Sequence, residues 1–75
     1  MTADEFQTSV RATSEGVLAA LKAEGPKTAW DLKIEMKAPH TLLHLALGLL
    51  MAEGRVVLKP EGYTYLVEPA APTVP

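Results

Sequence analysis

A chain of 75 residues makes one domain at most, with a core so small that stability is marginal unless something adds to it. It has no cysteine, which excludes disulfides and thiolate metal sites and fits a cytoplasmic protein. Hydrophobic residues at 48% against 21% charged indicate a folded domain rather than disorder, and a net charge of −2 lacks the basic excess of a strongly DNA-seeking domain.

No targeting or membrane segment is expected. Asp4 and Glu5 stand where a secretory signal would be basic. The longest apolar run, Leu45 to Ala52, is too short to cross a bilayer.

The periodicity predicts a first helix over Ala3 to Glu24. Thr2 can cap it, and Asp4 and Glu5 suit the positive end of its dipole. Phe6, Val10, Val17, Leu18 and Leu21 fall on one helical stripe. Thr13, Ser14 and Gly16 interrupt that stripe. The helix can break there, with Ser14 capping a second segment from Glu15, or Gly16 can be a tolerated weak point, which is the preferred reading.

Gly25-Pro26 ends the helix. Lys27 falls in a short extended segment, and Thr28 opens a second helix with Asp31 placed close to a capping-box pattern. Ala29, Leu32, Ile34 and Met36 are expected to supply apolar contacts, and Trp30 to be a core or interface anchor. Lys37-Ala38-Pro39 is a turn, because the residue before proline avoids the α region. Pro39 can start a third helix at its first turn, running to about Glu53 with Gly54 as its cap.

Arg55 to Lys59 and Tyr63 to Glu68 read as strands around a Pro60-Glu61-Gly62 turn. Residues 1–68 then form one domain, and the Pro-rich residues 69–75 are expected to be a mobile, mostly extended tail. The fold class is α+β: a winged helix-turn-helix, with three helices followed by a two-stranded hairpin as the wing.

Some segments are more specific. Val17 to Pro26 reads VLAALKAEGP, Thr28 to Lys33 reads TAWDLK, and Leu45 to Val56 reads LALGLLMAEGRV. These resemble the small stand-alone winged-helix proteins of bacteria and archaea whose function is unassigned, over about Val17 to Val67. The resemblance implies the winged-helix fold and, as for some members, a homodimer. It brings no catalytic residue, and a fold does not determine a function.

The third helix carries the functional question. In a DNA-reading helix-turn-helix it would offer Arg, Lys, Asn or Gln to base edges. Here Leu43, Ala46, Leu47 and Leu50 form the face expected to meet the domain's own core. The other faces offer only Thr41 and His44, with His40 at the start, as partners for a base. Leu42, Leu45 and Leu49 make a second apolar stripe, and a helix that is apolar all round is normally buried all round. Covering roughly 300 Å² of that stripe at about 25 cal/mol per Å² gives on the order of 7 kcal/mol before association costs.

The first expectation is therefore a non-enzymatic protein that homodimerises, or binds a protein partner, through Phe6, Val10, Leu42, Leu45, Gly48 and Leu49. Phe6 and Val10 would cover the stripe within one chain or across a dimer. Gly48 is either a helix defect costing roughly 1 kcal/mol or a point of close helix approach at an interface. The alternative is a DNA-binding transcriptional regulator contacting phosphates through Lys37 and the Lys59 wing. Lys27, Lys33, His40, Thr41 and His44 complete its candidate contacts. Taken singly, each lysine reads better as a surface solubility group, offset by Asp31, Glu35 and Glu61.

His40 and His44 have the spacing of two metal ligands on one helical face, but no third ligand is evident, and no metal is expected. At a dimer seam these histidines would make association weaken near pH 6. No nucleophile-base pair, phosphate loop or carboxylate pair appears, so neither enzyme activity nor a cofactor is expected.

Overall fold

The computed structural model describes residues 1–70 of the 75. Its elements are α1 (Ala3–Glu24), β1 (Lys27–Thr28), α2 (Ala29–Met36), α3 (His40–Ala52), β2 (Val56–Glu61) and β3 (Thr64–Pro69). This is an α+β fold of three helices and an antiparallel hairpin, with the short β1 added to the free side of β3. The layout is compatible with a winged helix.

Local chemistry sets most of the boundaries. Thr2 and Glu5 form a capping box: the Glu5 N–H donates to Thr2 Oγ1 at 3.1 Å, and the Thr2 N–H donates to Glu5 Oε1 at 3.2 Å. The helix then runs unbroken through the polar interruption. Ser9, Thr13 and Ser14 each donate a hydroxyl to the carbonyl four residues back, so buried Ser14 is satisfied inside the helix and does not cap a second one. Gly16 lies inside the unbroken helix, and a Cβ there would come within 2.8 Å of Met36 Cε, the mobile end of a side chain of α2.

Thr28 caps α2 as expected, with Oγ1 accepting the Asp31 N–H at 3.0 Å. Lys37 ends α2 in the left-handed region at φ +52°. Pro39 stands at the N-cap of α3 rather than at its first helical position, in an extended conformation that supplies no side-chain cap. The other end of α3 closes in a Schellman motif. The Gly54 N–H reaches the Met51 carbonyl at 3.0 Å and the Arg55 N–H reaches that of Leu50 at 2.9 Å, with Gly54 at φ +72°.

The hairpin is longer than its sequence suggests. Its strands pair from Val56 with Pro69 to Glu61 with Thr64, so the turn is Gly62-Tyr63 and not Pro60-Glu61-Gly62. Gly62 takes φ +62° at the position where tight hairpin turns require glycine. Pro60 lies within β2, which is an edge strand and can tolerate a missing N–H. Pro69 also belongs to β3, and the Ala70 N–H donates to the Arg55 carbonyl at 3.0 Å, so the expected tail does not begin at 69. Its remaining residues, 71–75, lie outside the described ones.

The core gathers Val17 and Leu21 of α1, Leu32 of α2, Leu43, Leu47 and Leu50 of α3, and Val56 and Val67 of the sheet. Ala46 is also buried, so the predicted inner face of α3 is the observed one. Trp30 and Ile34 are not part of it. Both are exposed on α2, which corrects the expectation of a core role for the tryptophan. Among the described residues no helix is long and apolar enough to cross a membrane.

Candidate functional site

Two concave surfaces flank α3. The first lies between α3 and the N-terminal half of α1. Helical spacing places Phe6 and Val10 one turn apart on α1, and Leu45 and Leu49 one turn apart on α3. These side chains, with Gln7 and Arg11, line a groove of about 300 Å³. Phe6 remains 36% exposed and Leu45 45% exposed, so α1 packs along α3 within one chain and covers the second leucine stripe only in part. Val10 and Leu49 are half-buried. Leu42 and Gly48 are half-buried as well but do not line the groove. A Cβ built on Gly48 meets nothing within 4 Å, so no close helix approach occurs there inside the chain.

The second surface, of about 250 Å³, lies between α2, the start of α3 and the hairpin. The single tryptophan, both tyrosines and both histidines of the chain line it, together with Lys33. The Lys33 ammonium sits 5.4 Å from the centre of the Trp30 ring, in cation–π range. The His40 and His44 rings lie 4.0 Å apart at 35°, and Tyr65 meets His44 edge-on at 5.7 Å. His44 Nδ1 is 2.9 Å from the His40 carbonyl. A carbonyl only accepts, so Nδ1 carries the proton, and in the neutral ring Nε2 is an acceptor.

That geometry bears on metal binding. The two imidazole rings lie tilted against each other, and one nitrogen of His44 is already engaged. Among the described residues no group of three metal-ligating side chains comes together.

The candidate nucleic-acid contacts do not form one cationic face. Lys27 is turned toward α2, with Nζ 2.7 Å from Glu35 Oε2 and 3.4 Å from Glu24 Oε1, and its side chain is only 15% exposed. The Glu35 hydrogen bond outweighs the opposing effect of burial and, with Glu24, holds this ammonium above its ordinary pKa of 10.5. Lys59 pairs with Glu68 at 3.0 Å across the hairpin. Each lysine thus already has a carboxylate partner, although Lys59 remains exposed. Lys37 and Thr41 are exposed, whereas Lys33, His40 and His44 line the aromatic surface.

Sequence reasoning missed Trp30, Tyr63 and Tyr65 as one constellation. Their composition is a visible signal, because so few aromatic residues are present. Their convergence is not, because it needs the hairpin to fold back beside the starts of α2 and α3. A scan against protein-family models found no match, and searches of curated proteins and of solved structures found none either.

Proposed function

We propose that this chain is a small winged-helix protein of non-enzymatic role that forms a homodimer through the groove between α1 and α3. The observation that carries this reading is the open leucine stripe. Leu45 stays exposed beside Phe6 although the core on the other side of α3 is already closed. Covering it gains the full transfer free energy of apolar surface. A second copy is the simplest cover, because a two-fold axis lets one patch meet itself. The N-terminal turns of α1 add support, since Ala3 to Thr8 are all exposed.

Binding of duplex DNA stands second. The helix-turn-helix order favours it, but the internal pairing of Lys27 and Lys59 weakens it. The test is a mass measurement in solution over a dilution series. The expected result is twice the 8.0 kDa of one chain, falling to a single chain for Leu45→Glu with its helical circular dichroism intact. A wild-type chain that stays monomeric at high concentration overturns the proposal, as does a dimer that Leu45→Glu leaves unchanged.

A further inference from the structure

We propose that the aromatic surface between α2, α3 and the hairpin is a binding site for a planar aromatic ring carrying an anionic group, the chemistry that a nucleotide presents. This inference does not depend on the dimer, which uses the other side of α3.

The placement of the aromatic residues is the first argument. A small domain with one tryptophan gains most by burying it, yet Trp30 is 59% exposed and Tyr63 is fully exposed. Both border a concave space that also contains Tyr65 and the His40–His44 pair. Exposed rings around a cavity form a stacking platform, because every ring presents a π-face to a planar ligand.

Charge supplies the second argument. Lys27 and Lys59 are paired with carboxylates, whereas Lys33 has no ion-pair partner within 4 Å among the described residues. The surface is lined by Lys33 and two imidazoles, and by no carboxylate. An anion there meets a cation, and the carboxylates nearest in sequence and register, Asp31 and Glu61, are not among the lining residues. A cationic ligand would instead meet the ammonium that already sits over Trp30.

Polar groups and size narrow the ligand. His44 Nε2 is left as an acceptor in the neutral ring, and Thr64 and Tyr65, which each carry a hydroxyl, also line the space. The space, of about 250 Å³, is close to the lower end of the range for small-molecule pockets, so it takes one ring at a time.

Trp30 is the only tryptophan, so its fluorescence reports stacking directly. The full chain is titrated with adenosine monophosphate, adenosine, and a short single strand of deoxyadenylate. Saturable quenching by the monophosphate is expected at or below millimolar concentration. Lys33→Gln should weaken the monophosphate roughly tenfold and leave adenosine unchanged. Trp30→Ala, followed by calorimetry, should abolish binding with the circular dichroism preserved, since the ring is outside the core. Tighter, salt-sensitive binding of the strand identifies the source as single-stranded nucleic acid, and equal or weaker binding of the strand identifies it as a free nucleotide. Leu45→Glu should bind as the wild type does, which separates this result from the fate of the dimer. The proposal is overturned if neither ligand quenches saturably, if Trp30→Ala binds normally, or if Lys33→Gln weakens adenosine as much as its monophosphate.

Discussion

Gly16 and Gly48 occupy equivalent helical backbone, and only their neighbours differ. Alanine is favoured over glycine in a helix interior by about 1 kcal/mol. At Gly48 a Cβ meets nothing within 4 Å, so Gly48→Ala should raise the unfolding free energy of the isolated chain by about that amount. At Gly16 the same change drives a methyl to 2.8 Å from Met36 Cε. That atom ends a flexible side chain and can swing away, so Gly16→Ala should gain less than Gly48→Ala. Urea denaturation at low protein concentration compares the two; an equal or larger gain at Gly16 would show that Met36 does not constrain the site. Sequence reveals both glycines as interruptions. It cannot rank them, because the difference lies in a contact between α1 and α2.

Helix α3 is a two-sided element, and its faces should respond differently to the same truncation. Leu47 is fully buried in the shared core, so Leu47→Ala should cost about 2–5 kcal/mol in chemical denaturation. Leu45 is exposed, so Leu45→Ala should change the stability of the monomer by less than about 0.5 kcal/mol and act on association instead. A large loss of monomer stability at Leu45 would mean that α1 covers the groove more completely than it does here. The inner face was legible from helical spacing, as were the Thr2 and Thr28 caps and the glycine after α3, because each depends on residues within a turn or two. The hairpin turn was not. Pro60 looks like a turn residue, but it is accommodated within an edge strand, and the register is fixed by pairing with β3.

At the scale of the whole molecule, the two concave surfaces lie on separate sides of α3, and this changes what pH should do. Histidines at the seam of a dimer would weaken it near pH 6. Both His40 and His44 line the aromatic surface, and neither lines the groove. The dimer mass should therefore be unchanged by mild acidification; dissociation on mild acidification would place a histidine at the interface. The sequence by itself determined the order of the helices, the Thr2 and Thr28 caps, the inner face of α3 and the excess of leucine on its outer face, because these follow from spacing and local hydrogen bonding. Only the tertiary structure decided that Phe6 and Val10 flank that excess and leave Leu45 exposed, that Lys27 and Lys59 pair with Glu35 and Glu68, and that Trp30 joins Tyr63, Tyr65 and the histidines around one cavity. Each of these depends on side chains from different elements, whose meeting is set by how the helices and hairpin pack around the shared core.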